Sequence, residues 1–302
     1  MKAKLQRAVG RFVPASVVAA AVPWAFPRTH RFLKSDLRPP ATPAPNIVHL
    51  TCNKAASQNT AKIIARLLGE QGYRTVWPNR YAFFGDSPYF EDLSPAELAR
   101  NRNVRAPKRV FVAAVARPFE VAEVLAATRQ ILTVRDPRDI LTSDYFSIRY
   151  FHPAPSAADK TAEFHAKRAD ATARGLDGYV LEEAPRLRAT FERYAAIGRR
   201  DTCLAVLRYE EFIEDFPSWL AALERALGLP HDPGRAGRLG ALAPQRPTAE
   251  QRDRKIRSGR TGQFRDKLAP ATIAALDAEF APVLEAFGYA PVTPATPAEV
   301  SG

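Results

Sequence analysis

Short apolar runs alternate with amphipathic stretches along most of this chain, and the alternation predicts strands followed by helices. Asn46–Cys52 (NIVHLTC), Arg74–Trp77, Lys108–Ala114 (KRVFVAA), Ile131–Val134 (ILTV) and Thr202–Leu207 (TCLAVL) have the length and β-branched content of buried strands. Gln58–Gln71, Pro118–Ala127, Leu181–Ile197, Pro217–Leu227 and Ala269–Phe287 read as helices. Gly228 and Gly288 close the last two, and Pro282 is able to kink the final one. Ser94-Pro95-Ala96-Glu97 has a capping-box pattern with proline at the first helical position, so a further helix starts there. Strands alternating with helices predict a three-layer α/β fold, a mainly parallel sheet flanked by helices. From Phe151 to Leu176 the pattern weakens into small and polar residues, two histidines and two prolines. That segment reads as an irregular insertion of the kind that carries acceptor-binding loops, and a plain surface helix fits it equally.

The ends of the chain differ from this body. Residues 1–31 hold basic residues, no acid, and an apolar centre from Phe12 to Phe26 interrupted by Pro14 and Pro23. A transmembrane helix needs about 20 apolar residues, so a span is not expected. The stretch reads as a targeting peptide, a segment on an anionic membrane surface, or a disordered arm. Residues 36–45 (DLRPPATPAP) form a proline-rich linker and 290–302 a similar tail, which places the folded body at 46–289 and an arm with its linker at 1–45. Residues 1–45 carry eight Lys/Arg against Asp36, a net +7 of the total +12, leaving +5 for the rest. The body is therefore mildly basic, and its charge does not call for a nucleic-acid partner. Cys52 and Cys203 lie at the ends of predicted strands, and no Cys/His spacing resembles a metal site. With no N-x-[ST] sequon after any of the six asparagines, a cytoplasmic protein with two core thiols is expected.

The candidate chemistry sits in three turns. In Arg129–Ser147 (RQILTVRDPRDILTSDYFS) a strand runs into a charged turn and then a helix whose apolar stripe is Ile140, Leu141, Tyr145 and Ile148. A strand, turn and helix start of this kind aim backbone N–H groups and the positive end of a helix at one point, where a phosphate or sulfate can sit. Arg135 and Ser143, eight positions apart, can reach such an anion from two sides, and a turn that only pairs with itself in solvent is the other reading. The second turn is Thr51-Cys52-Asn53-Lys54-Ala55-Ala56-Ser57-Gln58-Asn59-Thr60, and the third is Ile256-Arg257-Ser258-Gly259-Arg260-Thr261-Gly262 in a basic loop over 244–267. Ligands of open α/β sheets bind beyond the carboxyl ends of the strands, so the first two turns can share a crevice over which the third closes. No GxxxxGK[ST] is present, so this is not a Walker-type loop.

These segments together resemble the sulfotransferases that use 3′-phosphoadenosine-5′-phosphosulfate (PAPS). RDPRDILTSDYFS is similar to their 3′-phosphate motif, with Arg135 and Ser143 at the family's spacing. LRYEEFIEDFPSWLAALERALGLP resembles the strand ending in a Tyr-Glu-Asp-Leu type motif, which implies that Tyr209 lies near the nucleoside. Arg257–Arg265 is similar to the late R-x-G-x-x-G-x-W-K segment, which implies 3′-phosphate contacts from Arg257, Ser258 and Gly259. The resemblance covers about Asn46 to Tyr289 in the family's order. It implies a P-loop nucleotide-binding-like fold, PAPS as co-substrate and spent PAP as product, no metal, and a small-molecule, carbohydrate or lipid acceptor. It also implies a donor loop made by Lys54, Ala55, Ala56, Ser57, Gln58 and Asn59, with Lys54 bonding the bridging or leaving oxygen.

Two departures stand out. Where the family has P-K-S-G-T-T-W, this chain has Asn53-Lys54-Ala55-Ala56-Ser57-Gln58-Asn59, which lacks the glycine and the aromatic that stacks on adenine. Where cytosolic members carry a catalytic histidine in a T-H-x-P-like turn, this chain has Val115-Ala116-Arg117-Pro118. The candidate bases are then Asp86 or Glu91, in the loop where carbohydrate-directed relatives place a glutamate, followed by Glu120, His152 and His165. The resemblance also admits a non-catalytic relative that binds PAP or another anion without transferring anything.

Overall fold

Five strands form one sheet in the computed structural model, which describes residues 15–85, 87–119, 124, 126–152, 154, 158–200, 204–244 and 259–292. In chain order the elements of the first half are α1 (Ala15–Ala25), α2 (Pro27–Lys34), β1 (Asn46–Thr51), α3 (Ser57–Glu70), β2 (Arg74–Val76) and α4 (Pro78–Phe84). A 3₁₀ turn at Phe90–Asp92 follows, then α5 (Pro95–Arg100), α6 (Arg102–Arg105) and β3 (Val110–Val115). The second half holds β4 (Thr128–Val134), α7 (Pro137–Phe146), a π turn at Ser147–Phe151 and the long helical element α8 (Ala158–Arg200). It continues with β5 (Leu204–Arg208), α9 (Tyr209–Glu214), α10 (Phe216–Leu227), α11 (Arg235–Arg238), α12 (Phe264–Lys267) and α13 (Pro270–Phe287).

The strands lie in the order β2-β3-β1-β4-β5, and every pairing is parallel. Every residue of β1 and β3 is buried, and in β4 only Arg129 is partly exposed. That is the pattern of a parallel sheet covered on both faces, and it buries polar residues such as Asn46, His49, Gln130 and Thr133 along with the apolar ones. β1 is central, between β3 and β4, so the chain leaves it toward one side of the sheet for β2 and β3 and crosses to the other for β4 and β5. The carboxyl end of β1 lies at this change of direction, the usual ligand position of such sheets.

Two expectations are corrected. The chain before Asn46 packs from α1 onward: Phe32 and Thr29 are buried, the Trp77 N–H donates to Thr29 Oγ1 at 3.0 Å, and the Leu37 N–H donates to Asn103 Oδ1 at 2.7 Å. Lys108 also pairs with Asp36 and donates to the Leu37 carbonyl, so the proline-rich linker is anchored to the base of β3. The irregular insertion expected over 151–176 is helical from Ala158 on, in an element broken at Gly175, whose φ of 69° and ψ of −175° no helix contains. Arg168 holds this element against the π turn by donating to the carbonyls of Ile148 and His152, each at 2.7 Å. The helix expected over 118–127 and the start of the strand expected at Thr202 lie largely outside the described residues.

Candidate functional site

The loop after β1 turns through two non-glycine residues in the left-handed region, Lys54 at φ 68° and Ala56 at φ 53°. Such conformations cost about 1–2 kcal/mol each in L-residues. Ala56 stands where the sulfotransferase pattern has glycine, and the turn keeps the glycine-like backbone despite the methyl group. Ala55 is buried, Lys54 is half-buried, and Ser57, Gln58 and Asn59 form the half-buried first turn of α3. No side chain caps this helix and no acid occupies its first turn. Asn59 and Thr60 both donate to the Ala56 carbonyl, so the N–H groups of Ser57 and Gln58 are the ones without an intrahelical acceptor.

β4 ends at Val134, and the turn that follows is buried: Arg135 is 3% exposed and Asp139 is 0% exposed. The Arg135 guanidinium connects three distant segments. Its Nη1 donates to the Lys54 carbonyl at 3.0 Å, and its Nη2 donates to Asp139 Oδ2 at 3.1 Å and to the Arg260 carbonyl at 3.3 Å. Its flat face lies over the Tyr209 ring, 4.3 Å from the centroid. Burial draws the Arg135 pKa down, but the Asp139 carboxylate and the Tyr209 oxygen outweigh it, so the group is held above its usual value and stays charged. Arg135 Nε is buried with no hydrogen-bond partner among the described residues.

Asp139 fixes the third segment. Its Oδ2 also accepts from the Gly262 N–H at 2.8 Å, and its Oδ1 accepts from the Phe264 N–H at 3.1 Å. Gly259 and Gly262, at φ 59° and 70°, bend that loop back over the turn. Arg138 braces the other side by pairing with Asp136 and Asp277 while lying 4.3 Å over the Phe264 ring. The Arg-Asp-Pro-Arg-Asp turn is thus self-paired as one of its sequence readings held, yet buried rather than solvated, and it joins the loops after β1 and before α12. Ser143 is half-buried on α7 and Tyr209 is the buried first residue of α9. Arg257, Ser258, Asp86 and Glu120 lie outside the described residues.

The end of β3 lies beside the end of β1, on the side away from β4. Between Val48 and Leu50 of β1 the partner strand advances from Val112 to Val115, one residue more than β1 does. This bulge places Ala114 at φ 55°. Beyond it come Ala116 and Arg117, and Arg117 Nε stands 3.6 Å from Glu91 Oε1. The Glu91 side chain is 3% exposed and both its oxygens accept from Asn79 Nδ2, at 3.1 and 2.8 Å. Burial raises its pKa, and the hydrogen bonds from its own backbone N–H and from Asn79 offset this only in part. Arg117, two residues past the end of β3, ties Glu91 to that end of the sheet, while at the end of β1 the Tyr194 hydroxyl donates to the Thr51 carbonyl at 3.1 Å. Of the other candidate bases, His152 is half-buried between the rings of Phe83 and Phe164, and His165 is exposed on α8.

Sequence reasoning missed Asp139, the carbonyls that receive Arg135, the Asn79 and Arg117 cradle of Glu91, and the β3 bulge. Only the first had a signal, an acid four positions after an arginine at a helix start.

No family model and no curated protein matches the chain in sequence. Solved structures do match it in shape. Mouse sulfotransferase SULT7A1 complexed with PAP aligns over 85% of this chain and 89% of its own, with a TM-score of 0.52 at 16% identity. Retinol dehydratase in complex with androsterone and inactive cofactor PAP aligns over 87% and 85%, with a TM-score of 0.49 at 16% identity. The sulfotransferase domain of the Synechococcus PCC 7002 olefin synthase covers 85% and 99%, with a TM-score of 0.37 at 15% identity. The first of these carries the structural comparison: the central parallel sheet with its flanking helices is the sulfotransferase fold.

Proposed function

We propose that this chain, built on the sulfotransferase fold, transfers a sulfuryl group from PAPS to a hydroxyl or amine of a small-molecule, carbohydrate or lipid acceptor and releases PAP. The observation that carries the reading is the Arg135 guanidinium, which touches the Lys54 loop, Tyr209 and the Arg260 loop at once. The residues present suit an anionic nucleotide. An uncapped helix start with two available N–H groups follows Lys54, and a buried, charged arginine retains one unpartnered donor. The mouse relative of the same fold is itself a PAP complex.

In this reading Lys54 and the N–H groups of Ser57 and Gln58 face the phosphosulfate end, with Ala55, Ala56 and Asn59 shaping that loop. Arg135, Ser143, Arg257, Ser258 and Gly259 take the 3′-phosphate, and Tyr209 lies beside the nucleoside. PAPS supplies the activated sulfuryl group, and the protein supplies alignment and charge. Lys54 neutralises the charge that grows on the leaving phosphate, where a preorganised cation acts only as the charge develops. The acceptor hydroxyl loses its proton as its oxygen bonds to sulfur. Glu91 takes that proton: its raised pKa suits a general base, and its ion-pair partner Arg117 follows the end of β3, the region where cytosolic relatives carry histidine. Asp86 remains the alternative base. We read the protein as cytoplasmic, in keeping with the buried thiol of Cys52.

A second reading, a PAP-binding protein without transferase activity, is favoured by Ala116 and by the engagement of both Glu91 oxygens with Asn79. Incubation with labelled PAPS and an acceptor panel separates the two, run beside PAP-induced thermal stabilisation. Transfer by the wild type, lost in Glu91→Gln while PAP still stabilises that variant, supports the enzyme. Stabilisation by PAP with no transfer supports the binding protein, and no stabilisation by PAP overturns both.

A further inference from the structure

The helix α1, ASVVAAAVPWA, is apolar on its outer face as well as its inner one. Val22 packs inward against Gly85 at the end of α4. Val17, Ala20, Ala21 and Trp24 are exposed, and their i, i+3, i+4, i+7 spacing makes a single stripe along the helix. Trp24 is 87% exposed and Val17 is 54% exposed, so two of the five exposed large hydrophobics among the described residues lie on this stripe. Isolated exposed apolar residues are ordinary, but a continuous stripe with a tryptophan at its end marks a contact surface.

Its surroundings indicate which contact. The next helix, α2, exposes Arg28, Arg31 and Lys34 while burying Thr29 and Phe32. In the sequence before α1 stand Lys2, Lys4, Arg7 and Arg11, and the first acid is Asp36. An apolar stripe carrying tryptophan, flanked by cations with no acid among them, is complementary to an anionic lipid surface. No helix among the described residues is long and apolar enough to cross a membrane, and α1 with 11 residues reaches about 16 Å. The helix is also fixed to the body. Phe26, between α1 and α2, stacks on Phe84 at 6.4 Å, Phe84 meets Phe83 edge-on at 5.1 Å, and Phe83 meets His152 at 6.2 Å.

We propose that α1 and α2 form a docking face for anionic membrane, with Val17 and Trp24 entering the headgroup boundary and Arg28, Arg31 and Lys34 meeting the lipid charge. The docking does not depend on the sulfuryl-transfer reading.

Co-sedimentation of the full chain with phosphatidylcholine vesicles, with and without phosphatidylglycerol, tests it. The wild type is expected to sediment with the anionic vesicles, less so as salt rises. Val17→Asp/Trp24→Asp is expected to weaken binding at least about tenfold. Arg28→Glu/Arg31→Glu/Lys34→Glu is expected to weaken it on the order of a hundredfold or more, since each cation near an anionic surface is worth about fivefold. All five positions are exposed, so unchanged urea transitions are expected to show that both variants fold. Failure of the wild type to prefer anionic vesicles, or wild-type binding by the Val17→Asp/Trp24→Asp variant, would overturn the proposal. So would a wild-type dimer in the absence of lipid that this variant dissociates, because the stripe would then be a self-association face.

Discussion

Replacing Asp139 by alanine tests whether the guanidinium of Arg135 organises the crevice. Asp139 is fully buried, accepts from Arg135 Nη2 and from the Gly262 and Phe264 N–H groups, and is the carboxylate paired with this arginine among the described residues. Its removal strands a guanidinium that is itself only 3% exposed. Breaking a buried pair from one side costs about 3–5 kcal/mol, most of it from the charge left behind. At about 2–4 °C per kcal/mol for a body of this size, the midpoint should fall by about 6–20 °C. Urea denaturation and thermal melts read the loss directly. A double variant, Arg135→Met/Asp139→Leu, supplies the internal control: with no charge to strand, it should be more stable than Asp139→Ala alone. If Asp139→Ala loses less than about 1 kcal/mol, or the double variant is the worse of the two, the reasoning fails. Weakened PAP binding by Asp139→Ala should accompany the stability loss, because the loop through Gly262 loses two of its anchors.

Three further outcomes follow from the same site. Lys54→Ala should lower the single-turnover transfer rate by about 10²–10³ while changing PAP affinity less than tenfold, a split that titration calorimetry beside quenched-flow assays resolves. Ala56→Gly should stabilise the protein by about 0.5–1 kcal/mol, since relief of the left-handed alanine exceeds the added freedom of the unfolded chain; a lower midpoint would refute the strain argument. Glu91 has a folded pKa above its ordinary 4.5, so its contribution to stability is greatest when protonated and declines as pH rises through that raised value. Glu91→Gln, which cannot ionise, should therefore gain stability relative to the wild type as pH rises above the ordinary 4.5, and a difference that stays constant with pH would exclude the burial argument.

The central strands were legible from short apolar runs, Ile47-Val48, Val110-Phe111-Val112 and Ile131-Leu132, although His49, Gln130 and Thr133 are buried beside them: β1 was expected to end one residue beyond Thr51, and β4 begins three residues before the expected Ile131. The turn at Arg135 was legible because a strand running into a charged turn and a helix start is the local arrangement that binds anions. Its burial was not, since the partners come from positions near 54, 209 and 260 and no local pattern reveals them. The segment after Ala158 hid its helix because it packs through few large residues, chiefly Tyr179, Val180, Phe191 and Tyr194, so the stripe is faint until past Gly175. The N-terminal arm misled for the opposite reason: Pro14 and Pro23 suggested broken structure, while Pro23 is in fact carried near the end of an 11-residue helix. The loop after β1 was singled out by its lysine, but that Ala56 would adopt a glycine backbone is a tertiary decision that propensity argues against.

The bulge at Ala114 changes how the end of β3 is to be compared across proteins. Side chains alternate along a strand, so one inserted residue exchanges the two faces for everything that follows. Matching Ala116 to a relative's histidine by counting along the strand holds only where that relative carries the same extra residue. A single-codon insertion or deletion near Ala114 would alter the parity of the strand end without replacing any active-site side chain. The position of the proton acceptor among proteins of this shape is then a question of parity as much as of residue identity, and alignments that place gaps only in loops will misjudge it.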